Sequence, residues 1–188
     1  ERANWFAANG EEPRDIYTFG LPNWHSAVAR EHKAAREAAV LFDQTSFAKY
    51  ILTGPDAEKA LQWIASNRVD KPVGSIIYTQ MLNDNGGIEC DLTCVRTKFN
   101  EYYITTGTGY ATHDFNWISR NIPSELNAQL IDVTSSNAVL SLFGPNARDI
   151  LQVLTVNDVS DNGHPFGSAR QISIAGCLVL AMRITYVG

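Results

Sequence analysis

The chain has 188 residues, 45% of them hydrophobic, with 15 Lys and Arg against 20 Asp and Glu for a formal net charge of -5. That length supports one large domain or two small ones. The acidic balance and the lack of a basic run argue against a nucleic-acid binder, whose affinity for phosphate depends on clustered Lys and Arg.

No stretch approaches the length needed to span a bilayer, and the first residues lack the charged-then-apolar order of a signal peptide. Neither a membrane nor a nucleic acid is therefore expected as a partner. Three cysteines, Cys90, Cys94 and Cys177, show no CxxC spacing, which points to a reducing compartment rather than a disulfide framework.

From Ser26, SAVAREHKAAREAAVLFD is rich in Ala, Arg, Glu and Lys with apolar residues at helical spacing, which predicts a helix. SFAKYILTG predicts a strand closed by Gly54 and Pro55. DAEKALQWIASN predicts a second helix, with Asp56 near its positive end and Ala60, Leu61 and Ile64 on its apolar face. SIIYTQMLN and IECDLTCVR flank Asp84-Asn85-Gly86-Gly87, the composition of a hairpin turn, and EYYITTG supplies a further strand. THDFNWISRNI predicts a helix ended by Pro123. Helix, strand, helix, three strands, helix is the order of an α+β domain with an antiparallel sheet.

An internal echo follows. ILTGPDAEKALQWI at 51 to 64 aligns without gaps to SLFGPNARDILQVL at 141 to 154, with six of fourteen positions identical, Gly and Pro among them. Each copy reads as strand, Gly-Pro turn and helix. Such units share punctuation widely, but the register holds through the helix, so a duplication is expected. It divides the chain into a first α+β unit at 1–138 and a second, repeated unit that begins near Val139 and runs to 188. ARQISIAGCLVLAMRITYVG would supply the later strands of that second unit, which looks unfinished.

The residue that stands out locally is Asp91, a carboxylate inside a strand, where Asp is disfavoured. On local grounds it is an ordinary solvent-facing residue. Tyr78 suits both core packing and a pocket wall. Tyr102 and Tyr103 alternate faces, so one is expected in the core and the other toward solvent. His25, His32, His113 and His164 form no pair with ligand spacing, so no metal is expected. GTGY at 107 to 110 is not a dinucleotide fingerprint and reads as a strand-end turn. Cys90, beside Asp91, points to the opposite strand face as a buried thiol.

GPDA after a strand, YTQMLNDNGGIECDLTCVR, DVTSSNAVLSLFGPNARDIL and the final RITYVG together resemble the folate-binding domain of the glycine cleavage T-protein (aminomethyltransferase) superfamily. ERANWFA and DVTSSNAVLSLFGPNAR are most similar to the C-terminal halves of dimethylglycine and sarcosine dehydrogenases and to the regulatory subunit of pyruvate dehydrogenase phosphatase. The resemblance covers nearly the whole chain. It implies a T-protein-like fold of two ferredoxin-like α+β units around a central hole, with the C-terminal part missing from this chain.

The same resemblance assigns roles. Asp91 is the acid presented to tetrahydrofolate, Tyr78 lines the same pocket thirteen residues earlier, and Tyr186 sits against the folate. An acid near the reacting nitrogens orients the folate and relays a proton. The full-length protein is implied to oxidise an N-methyl amine such as dimethylglycine or sarcosine on an upstream domain carrying FAD. The one-carbon unit would pass to tetrahydrofolate here, giving 5,10-methylenetetrahydrofolate, and a downstream C-terminal domain would close the site. On its own the chain is expected to bind folate weakly and not turn over. The alternatives are a stand-alone aminomethyl or methyl transferase, or a non-catalytic regulatory subunit of the same fold. The compartment implied is the mitochondrial matrix in a eukaryote and otherwise the cytoplasm.

Overall fold

The computed structural model describes residues 5–185. Helix α1 (His25–Glu37) leads into strand β1 (Val40–Asp43), followed by β2 (Ala48–Thr53), α2 (Ala57–Ile64), β3 (Ile76–Leu82), β4 (Ile88–Lys98), β5 (Glu101–Thr106) and α3 (Ala111–Asn121). Then come β6 (Gln129–Asp132), β7 (Leu140–Phe143), α4 (Ala147–Val153), β8 (Ala169–Ile174) and β9 (Cys177–Met182). The mixed α+β class and the antiparallel pairing match the sequence reading.

Two strands depart from it. The first helix does not run through AAVLFD: it stops at Glu37, and Val40–Asp43 is β1. Val, Leu and Phe favour a pleated, half-buried surface over a helix, and β7 offers them a paired edge. Strand β6, a four-residue segment after Pro123, was too short to show a period.

The principal sheet has the order β3-β4-β5-β2-β6. Alternation along its strands sends Tyr50 and Leu52 of β2, Ile77 and Met81 of β3, Cys90, Leu92 and Cys94 of β4, and Tyr102 and Ile104 of β5 to one face. There they join Ala57, Ala60, Leu61 and Ile64 of α2 and Ile118 of α3 in one buried cluster. Tyr50 packs edge-on against Phe115 of α3, with ring centroids 5.5 Å apart. The helices thus cover one face, and the other carries Tyr78, Gln80, Asp91, Thr93, Tyr103 and Thr105.

The strands that the sequence hid show how the halves join. β1 pairs with β7 and β6 pairs with β2, both antiparallel. Val40 lies opposite Phe143, and Gln129 lies opposite Thr53. These are equivalent pairs, since LFDQTS at 41–46 recurs as LIDVTS at 130–135. The first strand of each half therefore pairs with the second strand of the other.

Hydrogen bonds repeat with the sequence. Lys49 N donates to Thr134 Oγ1 at 3.1 Å, and Val139 N donates to Thr45 Oγ1 at 3.2 Å. Val133 N donates to Lys49 O at 2.9 Å, and Gln44 N to Val139 O at 2.8 Å. Gln62 Oε1 accepts from Val69 N at 2.9 Å, as Gln152 Oε1 does from Val159 N at 3.2 Å. Ser75 and Ser168, which immediately precede the equivalent strands β3 and β8, bridge each other. Ala169 N donates to Gly74 O at 2.7 Å and Ile76 N to Gly167 O at 2.9 Å, a pair of bonds related by a local two-fold.

The Gly-Pro corners are fixed by the same geometry. Gly54 has φ +132° and Gly144 has φ +115°, a region L side chains rarely adopt. A Cβ on either would sit 2.5 Å from a backbone oxygen, that of Asn127 for Gly54 and that of Ala38 for Gly144. Asp56 N donates to that Asn127 oxygen at 3.1 Å and Asn146 N to that Ala38 oxygen at 3.0 Å. We expect Gly54→Ala and Gly144→Ala each to cost about 1–3 kcal/mol of stability, visible as a fall of several degrees in Tm. Gly109→Ala, where a Cβ meets nothing within 4 Å, is the control and should leave Tm unchanged. Equal Tm for all three variants would show that the corners are not constrained.

Candidate functional site

The hairpin between β3 and β4 is organised by one side chain. Asn83 Oδ1 accepts from Asn85 N at 3.0 Å and from Gly87 N at 2.9 Å, while the Asn83 backbone exchanges hydrogen bonds with Gly86 and Gly87. Gly86 takes φ +77°, and a Cβ on Gly87 would press on the Asn83 side chain at 2.9 Å. The two glycines are thus what lets the loop close around Asn83.

That turn sets the register that places Asp91 opposite Gln80 and Thr93 opposite Tyr78. Gln80 Nε2 donates to Asp91 Oδ1 at 3.1 Å. Asp91 is exposed, and Tyr78, on the same face and diagonal to it, is 60% exposed. Diagonal neighbours lie about 7–8 Å apart, within reach of an aromatic side chain. The structure brings Tyr78 and Asp91 onto one accessible face; Tyr186 lies outside the described residues. Tyr102 is fully buried, whereas Tyr103 is half-buried rather than solvent-facing, and burial pushes its phenol up to about 12.

Lys49 is a residue the sequence reading missed. It lies in β2 between core residues, points to the outer face and is 0% exposed. Its Nζ donates to Thr45 O and Asn137 O, both at 2.8 Å, one from each of the equivalent loops that follow β1 and β6. Burial lowers its pKa, opposed by the charge of Asp132. A lysine inside AKYIL carried no signal, since its partners are backbone oxygens brought together by the strand exchange.

A second polar group lies on the helix side of the sheet. Asp114, on the first turn of α3 and 1% exposed, accepts from Thr106 Oγ1 through Oδ2 at 2.6 Å. Its Oδ1 lies 2.9 Å from His113 Nδ1. His113 Nε2 faces Glu89 Oε2 at 3.4 Å, and Asn83 Nδ2 donates to Glu89 Oε1 at 2.8 Å. The hydrogen bond His113 makes to Asp114, and after it the charges of Asp114 and Glu89, raise the His113 pKa against burial. Burial first, then the Asp114 carboxylate, pushes the Cys90 thiol up. No helix among the described residues is long and apolar enough to cross a membrane.

The chain belongs to a known domain class: residues 1–188 match the GCVT N-terminal domain family. A 4-methylaminobutanoate oxidase (formaldehyde-forming) from Paenarthrobacter nicotinovorans is 36% identical over the whole of this chain, which spans 23% of that protein. The mitochondrial sarcosine dehydrogenase of Homo sapiens is 37% identical over 93% of this chain and 20% of its own length. The chain thus spans about a fifth of these relatives. Its fold is that of glycine cleavage system aminomethyltransferase T from Bartonella henselae, with a TM-score of 0.68 at 24% identity over 89% of this chain and 43% of that one.

The buried ammonium yields a stability test. Lys49→Met leaves two loop carbonyls without their donor, so it should cost about 1–3 kcal/mol. Lys33→Met, on the exposed face of α1, should stay within about 0.5 kcal/mol. Denaturant midpoints that do not separate the two variants would remove Lys49 from the role of a pin.

Proposed function

We propose that this chain is the tetrahydrofolate-binding part of a larger N-methyl amine dehydrogenase of the dimethylglycine or sarcosine type. The observation that carries the reading is Asp91: an exposed carboxylate held by Gln80 on a face it shares with an exposed Tyr78. A flat heteroaromatic ring bearing N–H donors fits that pair, the tyrosine as a wall and the acid as an acceptor. The relatives add support, since two of them are named for oxidising methylated amines.

Tetrahydrofolate, when bound, supplies the nitrogens that accept a one-carbon unit. Asp91 orients it and holds or moves a proton at its free oxygen, and Gln80 fixes the rotamer in which that oxygen faces the ligand. Tyr78 shields the ring from water. Tyr186 is proposed as a third contact. The product in this reading is 5,10-methylenetetrahydrofolate, and the flavin chemistry belongs to another domain of the same polypeptide.

The unit boundaries are likewise proposed at 1–138 and 139–188; the β1–β7 pairing crosses that boundary, whereas β6, the repeat counterpart of β1, lies just before it. In the first unit β5 stands between β4 and β2. Among the described residues no strand stands between their counterparts β9 and β7, which form separate two-stranded sheets with β8 and β1. A further segment of the same polypeptide is proposed to fill that position and close the folate site.

The test is a tetrahydrofolate titration of the full-length protein and its Asp91→Ala variant, followed by Trp fluorescence. Loss of a charge-assisted contact should cost about 1.5–3 kcal/mol, one to two decades of affinity, while Tm changes little because Asp91 is exposed. Equal affinities would reject the assignment.

A further inference from the structure

Cys90, His113 and Asp114 converge from two elements with their ligand atoms all within 4.8 Å of one another. They are the one such group of three among the described residues. Asp91 and Tyr78 lie on the opposite sheet face, so the folate reading uses none of the three. From this geometry we infer a binding site for a borderline-soft divalent cation, Zn²⁺ or Co²⁺, held by Cys90 Sγ, His113 Nδ1 and an Asp114 carboxylate oxygen.

The donor set selects the metal. A thiolate, an imidazole and a carboxylate suit Zn²⁺ and Co²⁺ and do not suit Mg²⁺ or Ca²⁺, which take oxygen ligands. Around an ion with bonds of about 2.0–2.3 Å, His113 Nδ1 and Asp114 Oδ1, now 2.9 Å apart, open slightly. Three protein ligands leave a fourth position. His113, with its side chain 49% exposed, stands at the mouth, where water reaches the ion.

The surroundings have the form that supports ligands. The second ring nitrogen of a metal-bound histidine is usually turned to a carboxylate; His113 Nε2 faces Glu89, itself held by Asn83. Ligating carboxylates are in turn hydrogen-bonded, and Thr106 donates to Asp114. Charge balance points the same way. Cys90 and Asp114 are each 1% exposed, and burying a carboxylate is costly unless it is compensated. A dication with one carboxylate and one thiolate is neutral. The step balances: the Cys90 S–H bond breaks and its proton leaves to solvent, the neutral His113 ring shifts its proton from Nδ1 to Nε2, which faces Glu89, and the freed sulfur and Nδ1 lone pairs form the bonds to the metal.

The experiment uses the metal-free chain titrated with Co²⁺, then competed with Zn²⁺. We expect saturation at a single equivalent, with a thiolate-to-cobalt charge-transfer band and ligand-field absorption of a four-coordinate ion. Cys90→Ser should abolish the charge-transfer band and Cys177→Ser, the exposed cysteine of β9, should retain it. Since replacing the buried cysteine carries a folding risk, His113→Ala gives a second measure. It should weaken Zn²⁺ binding at least tenfold and remove the rise in Tm that Zn²⁺ gives the wild type, with the metal-free circular dichroism spectrum unchanged. No stoichiometric binding, a band that follows Cys177, or undiminished affinity in His113→Ala would each overturn the site and leave a metal-free hydrogen-bond network in its place.

Discussion

The exchange of first strands between the two halves is the constraint on which the rest of the structure depends. β1 completes a pairing with β7 that its own half does not use, and β6 does the same for β2. Withdrawing either half strips β2 or β7 of a partner strand, and unpaired edges in a buried setting are costly. The local two-fold at Ser75 and Ser168 then fixes how the halves face each other. Lys49 acts at the same junction, satisfying one carbonyl from each exchanged loop. Its counterpart in the second half is Val139, so the pin is present on one side only.

That arrangement explains what the sequence made legible and what it did not. Periodicity identified α2, β3, β4, β5 and α3 because each buries a regular face in the main cluster. The echo at 51 to 64 and 141 to 154 showed the repeat because Gly54 and Gly144 serve one backbone need, a positive φ against a partner's carbonyl. β1 and β6 stayed hidden for a common reason. Each is four residues long, and each owes its strand state to a partner far along the chain, β1 to β7 and β6 to β2. A second echo, LFDQTS with LIDVTS, held the missing information, since its Asp and Thr build equivalent loops: Thr45 N donates to Asp43 Oδ1 as Thr134 N does to Asp132 Oδ1.

The candidate site shows the same division between local and non-local information. Asp91 was visible because a carboxylate in a strand violates a local preference, and violations of that kind gather at functional positions. Gln80 was not visible, since its role comes from register and register comes from the Asn83 turn. His113 and Asp114 looked like unremarkable residues of a helix start. They gain meaning only when α3 packs on the sheet and sets them against Cys90, a contact between positions with no telling interval.

β4 is where these lines meet. Period-two alternation sends Cys90 to the helix-covered face and Asp91 to the open one, so adjacent residues lie on opposite sides of one sheet. A single hairpin, closed around Asn83, therefore governs both: its backbone sets the register of Asp91, and its amide holds Glu89 toward His113. A slip of one residue would turn Asp91 into the apolar cluster and Cys90 to solvent. The core contacts of Leu92 and Cys94 oppose that slip, which is why a site with exposed side chains can still be placed accurately. The open face is free to serve a ligand because the other face carries the burden of folding.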